Sequence, residues 1–258
     1  MTQTALYTRL AADGADLERA QRLRFDVFYR ERNRMALAPE SGRDEDAYDA
    51  ISDHLLVFRQ EDPDVPSADD ELVGTYRLLR QDKAAKNGGF YSEQEFDLKS
   101  LVARKPALKF LELGRSCVKA EHRGMAAIAL LWQGIWDYVR KHGIDVMIGC
   151  ASLEGADPAQ HQDTLQFLAA HAKAPDEWRV AVHPQHRVDM TAHGLSPNPR
   201  KVLRDLPPLV KGYLGLGCYV GDGAYLDLPF DTVDVLIILP VARINPRYFA
   251  RFGQPISG

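Results

Sequence analysis

From Asp16 to Arg34 apolar residues recur at three- and four-residue intervals: Leu17, Ala20, Leu23 and Val27 fall on one side with charges between them, and the spacing predicts a helix. A second stripe, Ile128, Leu131, Ile135 and Val139, predicts a helix over Gly124 to His142, with Gly143 suited to the left-handed position that closes a helix. Elsewhere the pattern shortens into compact apolar runs. His54 to Phe58 and Leu72 to Leu79 flank the turn-rich Asp62-Pro-Asp-Val-Pro-Ser-Ala-Asp-Asp70 and predict a hairpin. Phe110 to Val118, Ile144 to Cys150, Trp178 to His183, Cys218 to Val220 and Val233 to Leu239 read as further strands, and Pro158 to Ala172 and Pro208 to Leu216 as helices. Met35 to Ala47 is polar and irregular. Lys83 to Lys109, polar around Asn87-Gly88-Gly89, reads as a mobile excursion with one short helix. A helix, an antiparallel pair, a strand–turn–helix–strand unit and late strands make an α+β order with a mixed, mostly antiparallel central sheet flanked by helices.

The 258 residues fit one domain spanning 1–258, long enough to bury about three quarters of the unfolded surface. With a net charge of −4 the chain has no general affinity for nucleic acid, so attraction to an anionic partner must be local. Cys117, Cys150 and Cys218 are odd in number and lack CxxC spacing, which points to reduced, buried thiols and a cytoplasmic protein. No basic stretch leads into a signal-like apolar core. The apolar run Val233 to Ala242 contains Asp234 and Pro240 and is too short to span a bilayer, so a membrane would be met only from its surface.

Several chemistries lack their motifs. No GxGxxG follows a strand, no Gly-Lys-Ser/Thr loop occurs, and Ser116 sits in Leu-Gly-Arg-Ser-Cys rather than GxSxG. His183-x-x-His186-x-x-Asp189-x-x-x-His193 has metal-like composition, but Pro184 breaks any helical stripe and no metal is expected. More informative is Phe110-Leu-Glu112-Leu-Gly114-Arg115-Ser-Cys-Val118 followed by Glu121-His-Arg123-Gly124-Met. A strand bearing a carboxylate and an arginine, then an Arg-Gly turn opening a helix, can present backbone N–H groups to a phosphate. The arrangement reads as an acyl-transfer site. Strand alternation puts Glu112 and Arg115 on opposite faces, so both reach one cleft only if the strand bulges near Gly114.

Arg24-Phe-Asp-Val-Phe28, Asp46-Ala-Tyr-Asp49, Gly74-Thr-Tyr-Arg77-Leu-Leu and Glu112-Leu-Gly-Arg115 resemble, in order and spacing, the acyl-homoserine-lactone synthases, a branch of the GNAT fold. Leu206-Pro-Pro-Leu-Val-Lys-Gly-Tyr-Leu-Gly-Leu-Gly217, Leu226-Asp-Leu-Pro-Phe230 and Arg247-Tyr-Phe are more similar to the ornithine N-acyltransferases of ornithine-lipid synthesis. The resemblance covers nearly the whole chain. It implies transfer of a 3-hydroxyacyl chain from acyl carrier protein to the α-amine of ornithine, giving a lyso-ornithine lipid. Other outcomes are another acceptor such as glutamine, lactone synthesis from S-adenosylmethionine, or a non-catalytic carrier- or lipid-binding module. The GNAT pyrophosphate loop is degenerate here as Arg123-Gly-Met-Ala126-Ala-Ile128, which suits a carrier-protein phosphopantetheine thioester as co-substrate rather than coenzyme A. The tryptophan that lactone synthases carry after Phe28 is replaced by Arg32-Asn-Arg-Met35.

The same resemblance implies roles. Glu112 is the candidate base, and Arg115 stabilises the oxyanion or clamps the amino acid's carboxylate. Arg24, Phe28, Asp46, Asp49 and Arg77 line the amino-acid pocket, the aspartates attracting ornithine's second ammonium; alternatively Arg24 and the aspartates form a salt-bridge network that fixes the N-terminal lobe. Lys119, Arg123 and Gly124 face the acyl donor, and the basic residues there meet the acidic carrier or form a solvated helix face. Cys117 is expected to be inert, and helix Pro208 to Leu216 to serve the core, line an acyl tunnel or touch the membrane where the product leaves.

Overall fold

The computed structural model describes residues 5–60, 67, 70–191 and 198–244. The first elements are β1 (Leu6–Leu10), α1 (Gly14–Phe25), β2 (Asp53–Arg59), β3 (Glu71–Arg80), α2 (Gln81–Ala84) and α3 (Leu98–Arg104). Then come β4 (Phe110–Val118), α4 (Met125–His142), β5 (Val146–Glu154), α5 (Gln162–His171) and β6 (Arg187–Val188). The chain continues with α6 (Pro199–Asp205), α7 (Pro208–Leu216), β7 (Tyr219–Asp227) and β8 (Thr232–Pro240). Its contacts group into two compact units, one of residues 1–87 and 113–142, the other of 88–112 and 143–258.

In the first unit the strand order is β1-β2-β3-β4. The expected hairpin is present as antiparallel β2 and β3, with a register shift at Val57/Phe58, although most of its connection lies outside the described residues. β1 pairs antiparallel with β2, Leu6 opposite Arg59 and Leu10 opposite Leu55, and the apolar pattern did not reveal this strand. Asp13 caps α1 by accepting the Asp16 N–H, and the helix passes directly into a π-helical turn, Asp26–Arg30. Its inner side, Ala20, Leu23 and Val27, packs on Leu56, Phe58, Leu72 and Cys117, with Tyr7, Ala11 and Phe28 at the margin. The predicted α4 buries Leu131, Ile135, Tyr138 and Val139. Gly134 brings this helix so close to β2 that a Cβ there would sit 2.7 Å from a Leu55 methyl. Gly143, at φ 60°, takes the left-handed conformation expected after the helix.

The second unit holds the order β4-β5-β8-β7-β6. β4 runs parallel to β5 (Phe110 opposite Val146, Glu112 opposite Ile148), while β5/β8, β7/β8 and β6/β7 are antiparallel, so the sheet is mixed as expected. β8 is buried along its whole length, which is why it reads as a continuous apolar run. Two expectations need correction. The stretch from Lys83 to Lys109 is not a mobile excursion: Phe90, Phe96, Leu98 and Leu101 are buried, and α3 is capped by Asp97. Trp178 to His183 is not a strand but a 3-10 turn, Asp176–Trp178, followed by isolated bridges from Ala181 to Asp222 and from Val182 to Phe96. α7 buries Val210, Tyr213 and Leu216, and α6 and β6 were not foreseen. No helix among the described residues is long and apolar enough to cross a membrane.

Candidate active site

In the first unit, five of the resemblance-derived residues meet in one chain of opposite charges. Arg24, on the inner side of α1, grips Asp49 with both ends of its guanidinium, at 3.0 and 2.7 Å. Its Nε lies 2.8 Å from Asp44 Oδ2. Arg77, from β3, reaches Asp46 at 2.6 Å and Asp49 at 3.0 Å. Arg115, from β4, lies 3.3 Å from both Asp44 and Asp46. Gln21 adds an N–H to Asp49 at 3.0 Å. Burial alone would push the Asp49 carboxyl up, but the Arg24 guanidinium, Gln21 and Arg77 outweigh it and hold the acid well below the usual carboxylate range. Three arginines and three aspartates neutralise one another in a setting where an unmatched ion is costly.

Both Asp49 oxygens are taken by protein donors, whereas Asp46 and Arg115 are the more open members, with side chains 23% and 14% exposed. Arg115 also carries the strand's irregularity. Its φ is 51°, a left-handed conformation unusual for a residue with a Cβ, so the departure from regular strand geometry falls on Arg115 and not on Gly114. Phe28 packs against the hydrophobic cluster of α1 and β2, with the Arg32 guanidinium over its ring.

Lys119, Arg123 and Gly124 follow β4. Lys119 pairs with Glu71 at 2.5 Å, and Arg123 pairs with Glu31 while its Nε donates to the Val118 carbonyl at 2.9 Å. At Gly124 a Cβ would meet no described atom within 4 Å apart from its chain neighbours. The N–H groups of the first turn of α4 have no intrahelical acceptor. The buried Cys117 thiol is pushed up to about 12 by desolvation and is a poor nucleophile at neutral pH.

Glu112 belongs to the second unit. It is 3% exposed, and its two oxygens each accept a backbone N–H, from Tyr91 at 2.8 Å and from Ser92 at 2.7 Å. The donors open the 3-10 turn Tyr91–Gln94, within the tract whose polarity suggested mobility. Next to it the Cys150 thiol lies 3.3 Å from Ser92 Oγ and 3.2 Å from Glu95 Oε2. Asp44, Tyr91, Ser92 and Glu95 were not foreseen. A usable signal existed only for Asp234, a carboxylate inside the apolar run of β8. The histidine-rich segment is otherwise engaged: the His183 ring contacts the Glu93 carbonyl, His186 packs edge-on to Tyr225, and Asp189 accepts from Thr191. His193 and Arg247-Tyr-Phe lie outside the described residues.

Known proteins add to this geometry. The acetyltransferase (GNAT) domain family matches residues 23–133. An L-ornithine N(alpha)-acyltransferase of Rhizobium meliloti (strain 1021) is 46% identical over 264 residues, covering 98% of this chain and 88% of the relative. One of the same name from Brucella abortus (strain 2308) is 47% identical over 96% of this chain and 89% of its own length. Among solved structures, FeeM, an N-acyl amino acid synthase from uncultured soil microbes, superposes with a TM-score of 0.51 at 10% identity over 97% of this chain and 100% of its own, a likeness of fold. The chain therefore belongs to the L-ornithine N(alpha)-acyltransferase family and is an acyltransferase of the GNAT fold.

Proposed function

We propose that the chain, acting as a single acyltransferase domain over 1–258, moves a 3-hydroxyacyl group from the phosphopantetheine thioester of acyl carrier protein to the α-amine of L-ornithine, giving lyso-ornithine lipid. The observation that carries the reading is the near-full-length identity to relatives named for ornithine acylation. The α-ammonium, with a pKa of roughly 8, must shed a proton before attack. Glu112 takes it, directly or through one water. The amine nitrogen then bonds to the thioester carbon, and the C–S bond breaks. Of the two protons the nitrogen gives up on its way from ammonium to amide, one passes to the departing thiolate and the other to solvent. Two backbone N–H donors hold the carboxylate in one orientation, which favours its geometry as a base.

Arg115 and Asp46, the more exposed members of the charge network, face the amino acid in this reading, with Arg115 on its carboxylate or on the developing oxyanion. Arg24, Asp49 and Arg77 hold the pair in place. Arg123, half exposed, exchanges Glu31 for an acid of the carrier. The degenerate loop after Arg123 supports the carrier-bound donor over coenzyme A, and the protein works in the cytoplasm, meeting the inner membrane only peripherally where the product leaves. The test is acyl transfer with purified protein, comparing acyl carrier protein and coenzyme A thioesters against ornithine and glutamine. Glu112→Gln is expected to lower turnover by roughly 10² to 10⁴ with the fold intact. Near-native turnover would remove Glu112 as the base, and preference for glutamine would remove ornithine as the acceptor.

A further inference from the structure

The second unit buries a group of acids that the transfer just described does not use. Glu95, 4% exposed, ends the turn that supplies the two donors to Glu112. Its N–H donates to the Ser92 carbonyl at 3.2 Å and its carbonyl accepts the His183 N–H at 2.8 Å. The Cys150 thiol, on β5, lies within reach of both Glu95 Oε2 and Ser92 Oγ, although its single proton serves one of them at a time. One side-chain oxygen or sulfur atom from each of Glu95, Cys150 and Asp234 lies within 4.8 Å of the others. The groups facing Glu95 are Asp234 on β8, Asp227 and Tyr225 on β7, Glu112 on β4 and Cys150 on β5. His183, held on the Glu93 carbonyl, closes the turn's other side. In charge the surroundings of Glu95 are dominated by carboxylates.

We propose that Glu95 is a positioning residue for Glu112: as a neutral acid it lets the Tyr91–Gln94 turn close, and on losing its proton it loosens that turn and withdraws the Tyr91 and Ser92 donors. The catalytic consequence rests on the reading of Glu112 as the base. The physical reason is burial together with crowding of like charge. Burial first, then Asp234, with Asp227 and Glu112 adding to them, push the Glu95 carboxyl up to about 8. Below that pH the acid holds its proton and can donate it within the cluster. Above it a further negative charge enters a group already rich in acids and shielded from water, and the short turn is the element with least regular structure to resist the repulsion.

The folded-state proton affinity of Glu95 exceeds that of an ordinary glutamate, 4.5, so the folded protein loses stability relative to the unfolded chain as pH rises from that value through about 8. Glu95→Gln, a neutral isostere, removes the titration, and Glu95→Ala removes the side chain that fills the site. The test is hydrogen exchange resolved at the Tyr91 and Ser92 amides, alongside the pH profile of kcat, in the native enzyme and both variants.

In the native enzyme, protection of the two amides should fall about tenfold or more between roughly pH 7 and 9 beyond the intrinsic rise in exchange. An alkaline loss of kcat should centre near 8. In Glu95→Gln both transitions should vanish or move up by at least about one pH unit, while Glu95→Ala should lower protection at every pH. An unchanged alkaline transition in Glu95→Gln, or native amides equally protected at both ends of the range, would overturn the proposal. Protection that follows Glu95 while kcat does not would uphold the positioning role and remove Glu112 as the base.

Discussion

The charged groups of the two units solve one problem in opposite ways. Around Arg24 in the first unit, three guanidinium groups and three carboxylates sit close enough that burial is offset by attraction, and Asp49 becomes more acidic than in water. Around Glu95 in the second unit, the neighbours repeat the sign, and burial makes the acid weaker. Buried carboxyls thus diverge according to the charge beside them, so depth alone predicts neither their protonation nor their role. Ionised and locked together, the first group suits a scaffold. The second, still able to exchange a proton near neutrality, suits a site that responds to its surroundings.

The sharpest way to break this contrast is to remove the cation at the centre of the first group. Arg24→Met leaves Asp44 and Asp49 buried without it and should cost about 3–5 kcal/mol in urea unfolding; a midpoint close to the native one would show that the network is not the scaffold. A smaller, pH-dependent effect is expected for Asp49→Asn. The native carboxyl titrates below its ordinary 3.8, so its contribution is fully present above that pH and is lost as pH falls through the folded-state value. The stability gap between native and variant should therefore hold constant near neutrality and close in acid, and a gap that persists in acid would mean that packing, not charge, is at work. Smallest is the backbone effect at Arg115. With its left-handed φ, Arg115→Gly should be about 1 kcal/mol more stable than Arg115→Ala, the reverse of the usual order in a strand, and equal stability would count against strain there.

How much could be read in advance depended on whether a feature leaves a periodic trace. Helix α4 and strand β4 were legible to within a residue, because an eighteen-residue amphipathic stripe and a nine-residue run bounded by turns leave little choice. Strand β1 was missed because Tyr7, Thr8 and Arg9 are amphipathic or polar on a half-buried strand. The tract from Lys83 to Lys109 was misread because its few apolar anchors, Phe90, Phe96, Leu98 and Leu101, are spread among lysines and glycines with no period. At the site, Arg115 stood out from the carboxylate and arginine of its own strand, but Arg24, Asp46, Asp49 and Arg77 were reached through resemblance, since no local pattern says that residues on four segments will share charges. Asp44, an ordinary acid in a polar loop, left no trace at all.

The grip on Glu112 has a consequence for genetics. Both of its oxygens are held by main-chain groups, which every residue except proline supplies. An alanine scan through Tyr91 and Ser92 would therefore pass over the contact, reporting only what the phenol and the hydroxyl do. The contact would surface as an intolerance of proline alone at these two positions, or through an amide-to-ester replacement that deletes one N–H and leaves every side chain in place. A residue whose importance lies in its backbone is silent to the methods most often used to map active sites.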